Sequence, residues 1–205
     1  MKMSYAYDEL YLQDAMRNLG NMYDYAVNKL KYKLEEYQKM FLVSRVSQQF
    51  AIGNPAYVTG VSGCELAKKV VEECTGVRPQ MSDIMEQEPS TEYRIGEALA
   101  YYQWMANVDF KTINNACSLT ELKGRDKDGA VKLLQEKMAA YEEQPALRRL
   151  RDYAGLTQRA LSEKAGVPLR QVQLFEQGQR DIRKCQGQTL LQLANALHCT
   201  VEELI

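Results

Sequence analysis

Side chains suited to covalent or acid–base chemistry are sparse in this chain. Its single histidine, His198, stands in LANALHCT, where an apolar helix ends. It could serve as a general base or a ligand, but near a helix C-terminus its positive charge is also simply well placed. Without a second histidine, Ser–His and Cys–His catalysis have almost nowhere to form. The five cysteines, Cys64, Cys74, Cys117, Cys185 and Cys199, are odd in number and show no CxxC spacing. That argues against a disulfide framework and against a zinc site. They read as reduced, mostly buried thiols of a cytoplasmic protein. Glu72, Glu73 and Glu97 could be sought as catalytic carboxylates, yet nothing separates them from ordinary solvated helix charges. The expectation is no catalytic residue, no metal and no cofactor.

A different chemistry is offered by TQRALSEKAGVPLRQVQLFEQG, residues 157–178. It reads as helix, sharp turn, helix, a unit that commonly lays its second helix in a DNA groove. Thr157 is the expected N-cap of QRALSEKA, and Gly166 supplies a left-handed turn residue that needs no Cβ. Val167 plugs the corner between the helices. Pro168 opens PLRQVQLFEQ at no cost to a first-turn N–H that has no helical partner. Val172 and Phe175, three apart, bury against the preceding helix, and Gly178 ends the run. On the other side, Arg170 could grip guanine with two hydrogen bonds, and Gln171 or Gln173 could face adenine. Leu169 and Leu174 cannot donate to base edges but can touch a thymine methyl. Leucines at exposed positions also suit a variant that binds protein instead of DNA.

The elements that would position these residues are short helices. Between Ala146 and Ile205 five can be read. In ALRRLRDYA, Leu147, Leu150 and Tyr153 share the inner face, Arg148, Arg149 and Arg151 point outward, and Gly155 closes the helix. The reader pair follows, then the basic connector QRDIRKCQGQ. TLLQLANAL turns Leu190, Leu193, Ala194 and Leu197 inward. TVEELI has Thr200 and Glu203 at capping-box spacing, with Val201 and Leu204 packing back.

The run LRRLRDYAGLTQRALSEKAGVPLRQVQLFEQGQRDI…TLLQLANALHCTVEELI resembles the phage-repressor, or Xre-type, helix-turn-helix family. The likeness rests on LTQ-xx-L-xxx-AGV, then V-xxF-E-x-G, then TL-xx-LA-xAL-xx-xxEEL, and covers the last part of the chain. It implies a third helix in the major groove and a homodimer on paired half-sites of double-stranded DNA. It implies base contacts from Leu169, Arg170, Gln171, Gln173 and Leu174. It implies phosphate contacts from Thr157 and Gln158 at a helix N-terminus and from Arg180, Arg183 and Lys184 on the flank. Pro168 departs from the polar residue usual at its position, which removes one side-chain hydrogen bond. The residues before this module resemble an N-terminal region of proteins from gut Firmicutes, a likeness that brings no established chemistry.

The seam falls near YEEQPA, where Pro145 and polar residues interrupt the helical pattern. Residues 1–143 form one expected domain and 144–205 the other. The chain carries 26 lysines plus arginines and 27 aspartates plus glutamates. From Pro145 onward there are nine and six, a balance of +3, which leaves 17 and 21, or −4, before it. With 45% apolar residues, both parts can build a core. The first part reads as helices throughout. Leu10, Met16, Leu19, Tyr23, Val27 and Leu30 mark the first, with Gly20 and Asn21 a candidate break. A second runs from about Leu34 to Ala51, with Phe41, Leu42, Val46 and Phe50 inward, stopped by Gly53, Asn54 and Pro55. A third starts at Ser62 as N-cap and stops at Gly76. RPQMSDIMEQEPST is a loop. TEYRIGEALAYYQWMANVDF is again helical, with Ile95, Ala98, Tyr102 and Met105 on one face. ELKGRDKDG is a charged loop before a last helix, AVKLLQEKMAAYEE. The crowded rings of Tyr5, Tyr7, Tyr11, Tyr23, Tyr25 and of Tyr93, Tyr101, Tyr102, Trp104 read chiefly as core filling, and secondarily as a partner surface. No signal peptide is visible in MKMSYAYDEL, and no run is long enough to span a bilayer.

The expected protein is all-α: an acidic helical domain followed by a five-helix module. The leading function is that of a bacterial, sequence-specific transcription regulator. Two alternatives stand beside it. One is an antitoxin whose N-terminal domain masks a toxin while the module regulates its operon. The other is an interaction scaffold whose helix-turn-helix no longer touches DNA. No convergent polar cluster marks a ligand pocket.

Overall fold

A computed structural model of the chain describes residues 5–82 and 88–205. Part of the loop expected at 78–91, and the first residues of the N-terminus read for a leader, lie outside the described residues. Among the described residues there are thirteen α-helices and no strand, so the fold is all-α. No helix is long and apolar enough to cross a membrane among those residues. The chain divides into two compact units, Met1–Lys137 and Met138–Ile205, and the division lies within a helix.

In the first unit α1 (Leu12–Asp24) runs on into a π-helical turn, Tyr25–Lys29. Its chief neighbours are α6 (Thr91–Ala106) and α5 (Gly63–Thr75). Gly20 and Asn21 do not break it. A Cβ on Gly20 would sit 2.8 Å from the Tyr93 ring, and one on Gly96 would sit 2.4 Å from the Leu19 carbonyl oxygen. These glycines let α1 and α6 approach closely, and that contact outweighs the helix-breaking tendency of about 1 kcal/mol. Leu10, expected inside, is 81% exposed, because it belongs to a 3₁₀ turn (Glu9–Tyr11) capped by Asp8.

The helix expected from Leu34 to Ala51 is two, α2 (Leu34–Val43) and α3 (Arg45–Ala51). Ser44 makes the break. Its hydroxyl donates to the Phe41 carbonyl at 2.7 Å and accepts from the Ser47 N–H at 3.2 Å, serving both helix ends. Asn54 caps the short α4 (Pro55–Val58), with Pro55 at its first position. Ser62 and Gly76 bound α5 as expected, the first accepting from the Glu65 N–H and the second left-handed. The helix expected to continue to Phe110 ends at Asn107, which is left-handed, and Asp109 caps α7 (Phe110–Ala116). α8 (Lys127–Glu142) follows, so the end of the expected charged loop is already helical.

Aromatic rings fill much of this core. Tyr23, Tyr25, Tyr37, Phe41, Phe50 and Phe110 are fully buried. Phe41 meets Phe110 edge-on at 5.0 Å, and Tyr23 meets Tyr37 at 5.7 Å. The outer members of the tyrosine groups do otherwise: Tyr5 is exposed and stacks on Trp104 at 4.0 Å. The thiols are free, but only Cys64 and Cys117 are buried; Cys74 is exposed and Cys185 and Cys199 are partly so. The expectation of mostly buried thiols is thus corrected, since Cys74 stands near the end of α5, where the helix leaves the core. Burial pushes the Cys117 thiol up to about 11.

In the second unit the helices are α9 (Ala146–Tyr153), α10 (Gln158–Ala165), α11 (Leu169–Glu176), α12 (Gly187–Leu197) and α13 (Val201–Leu204). Leu147, Leu161, Val172, Phe175, Leu193 and Leu204 centre its core. Tyr153, expected on the inner face, is 43% exposed, because α9 ends there at its left-handed stop, Gly155.

Candidate nucleic-acid interface

The α10–α11 corner is fixed by backbone and short side chains. The Thr157 hydroxyl caps α10 by accepting from the Ala160 N–H at 3.1 Å. Gly166 takes the left-handed conformation at φ +65°, where a side chain would be strained. The Ser162 hydroxyl donates across the turn to the Val167 carbonyl at 2.7 Å, and Val167 is buried in the corner. Pro168 is the N-cap of α11 and provides no side-chain cap; the helix therefore starts at Leu169, one residue later than expected.

α11 then has two faces. Val172, Phe175 and Glu176 are buried. Arg170 is exposed, while Leu169, Gln171, Gln173 and Leu174 are half-buried. By the helical period, Arg170 and Leu174 stand nearly opposite Val172. The expected base-contacting residues therefore share a helix whose other side is anchored in the core.

The anchor is ionic as well as apolar. Glu176, 5% exposed, accepts from Arg151 Nε at 2.6 Å and Nη2 at 2.9 Å. Its Oε2 also accepts from Gln158 Nε2 at 2.8 Å. Arg151 Nη1 donates to Asp152 at 2.6 Å and to the Leu156 carbonyl at 2.8 Å. Hydrogen bonding to Glu176 holds the guanidinium still more firmly protonated. The expectation that Arg151 points outward is overturned. A buried carboxylate waits on α11, and a planar guanidinium can satisfy it with two parallel bonds. Reading the sequence missed this pair. The signal was present: Glu176 lies four residues after Val172, on the stripe that faces the core, as Arg151 lies four after Leu147.

The network changes what Gln158 has to offer, since one amide hydrogen is committed to Glu176. Arg148 and Arg159 meet carboxylates of their own helices, at 3.8 Å and 3.0 Å. In the segment after α11, Arg180 lies over the Phe175 ring at 5.8 Å. Arg183 pairs with Asp181 in two-pronged fashion, at 2.9 Å and 3.1 Å. That hydrogen bonding draws the Asp181 carboxyl below its usual range. Lys184 is exposed. Among the described residues of the second unit, Arg149, Lys164, Arg170, Arg180 and Lys184 make no ion pair with a carboxylate, and three of these five lie on α11 and the segment after it.

Elsewhere, His198 is the left-handed C-cap of α12, its Nε2 3.3 Å from Lys164 Nζ. Among the described residues no group of three or more His, Cys, Asp or Glu is placed to hold a metal ion.

Residues 146–204 match the family model of a helix-turn-helix domain. The second unit therefore contains a helix-turn-helix domain with α10 and α11 at its centre. No curated protein and no solved structure matches the chain.

Proposed function

We propose that the protein is a cytoplasmic, sequence-specific DNA-binding transcription regulator of the Xre type. The observation that carries this reading is the outward face of α11. Arg170 is exposed there without a carboxylate partner, beside Gln171, Gln173, Leu169 and Leu174, on a helix locked from behind by Glu176. Laid in a major groove, Arg170 grips guanine O6 and N7, a glutamine faces adenine, and the two leucines meet thymine methyls. Thr157, Gln158 and the N-terminus of α10 approach one phosphate. Arg180 and Lys184 approach others on the flank and supply the salt-sensitive part of the affinity. A homodimer reads two half-sites, and the acidic first unit dimerises or receives a partner.

The test is a mobility shift on DNA from upstream of the protein's own gene, followed by titrations at several salt concentrations. Arg170→Ala should lose about 1–3 kcal/mol of discrimination at one base pair. Lys184→Ala should weaken all sequences alike and lower the salt slope by about 1. Unchanged DNA mobility at low salt would overturn the reading.

A further inference from the structure

Three cations follow α11, and they keep different company. Arg180 rests on the Phe175 ring, Lys184 is exposed, and Arg183 is held by Asp181. The Asp181 carboxylate is engaged three times. Oδ1 accepts from the Arg183 N–H at 3.0 Å, which caps the 3₁₀ turn Ile182–Lys184. Oδ1 and Oδ2 then take Nε and Nη2 of the same arginine. A carboxylate offering two oxygens to the flat edge of a guanidinium has the shape and charge of a DNA phosphate seen by that arginine. The position Arg183 would offer to DNA is thus already filled from within the chain.

We infer that Asp181 limits DNA affinity by competing with phosphate for Arg183, so that Arg180 and Lys184, and not Arg183, carry the flanking footprint. This rests on the DNA-reading function proposed above. The competition is close to balance. Exposed ion pairs are weak, and Arg183 remains 67% exposed at its side chain. A phosphate could take it over, but only by giving up the Asp181 pair. The contact is independent of base sequence, so Asp181 sets affinity and leaves discrimination to α11.

The experiment uses the full chain and two duplexes, the upstream DNA and a scrambled version, titrated by fluorescence anisotropy across a salt series. Asp181→Asn removes the charge and keeps an oxygen that can cap the turn; Asp181→Ser repeats the test with another capping residue. Both should bind both duplexes roughly two- to fivefold more tightly at low salt, the scale of an exposed ion pair. Their salt slopes should steepen by about 0.9, the value for one added phosphate contact. In an Arg183→Ala background the slope should not steepen, and the Asp181→Asn, Arg183→Ala double variant should bind within about twofold of the native chain. An equal steepening in both backgrounds would overturn the inference, because it would reflect only the loss of a negative charge. A double variant as weak as Lys184→Ala would overturn it too, because Arg183 would then already sit on phosphate. Native binding with no change in either Asp181 variant sinks this inference alone. Absence of native binding sinks it together with the function it rests on.

Discussion

The two units solve the burial of polar groups in opposite ways. In the first, polar groups are spent inside: the Tyr23 hydroxyl donates to Gln38, whose amide donates in turn to Asn114 at 3.3 Å, linking α1, α2 and α7 beneath packed rings. In the second, the cluster behind α11 has Phe175 as its large ring, and the polar network of Arg151, Glu176 and Gln158 ties α9 and α10 to α11. One network ends on Asn114 of α7, whereas the other ends on the back of the helix whose front is left outward. An inward network says how a domain is held together. A helix braced from behind, with cations lacking carboxylate partners in front, also says what it is held ready for.

The largest effect expected from this contrast comes from the aromatic core. Phe41→Ala removes a fully buried ring that touches Tyr23 and Phe110. It should cost about 4 kcal/mol. The chain's single tryptophan, Trp104, belongs to the first unit, so its fluorescence in a urea titration reads that unit. The midpoint should fall sharply there, while hydrogen exchange of the α11 amides changes little. An equal loss of protection in α11 would show that the units unfold as one and would break the comparison.

The next effect belongs to the ionic brace. Glu176→Ala strands a buried guanidinium and takes the acceptor from Gln158. Breaking a buried pair from one side costs about 3 kcal/mol, at the lower end of the usual range because Arg151 keeps Asp152 and the Leu156 carbonyl. Hydrogen exchange should quicken in α9, α10 and α11, with the Trp104 transition unmoved. If protection in α11 survives, apolar packing alone holds the reading helix, and the proposed difference between the units disappears.

How far the sequence could be read follows the same division. Elements announced by local chemistry were legible: the Ser62 and Thr157 caps, the Gly76 and Gly166 stops, the Thr200–Glu203 capping box and the inward Val172 and Phe175. Each depends on a few neighbouring residues. What was not legible depends on a distant partner. Gly20 looks like a break until Tyr93 is seen across it, and Arg151 looks like surface charge until Glu176 is placed behind it. Ser44 is intermediate, a local signal hidden within an otherwise continuous apolar period. The candidate reading face was legible as positions on one helix. The pairing that holds Arg183 was not, because nothing in RDIRK says which charge turns toward which.

The smallest effect on stability gives the sharpest test of where α10 points. Thr157 has two claims on it: it caps α10 through the Ala160 N–H, and it is expected beside a phosphate. Thr157→Ala confounds these, since loss of the cap alone costs about 1 kcal/mol. Thr157→Asp separates them. Aspartate caps at least as well as threonine, and its charge suits a helix N-terminus, so thermal unfolding should move by only a few tenths of a kcal/mol. The same charge repels a phosphate, so affinity for every duplex should fall, most at low salt where screening is weakest. A stable Thr157→Asp variant that binds DNA like the native chain would mean that the α10 N-terminus does not face the backbone. α11 could then not enter the groove in the orientation that puts Arg170 on guanine.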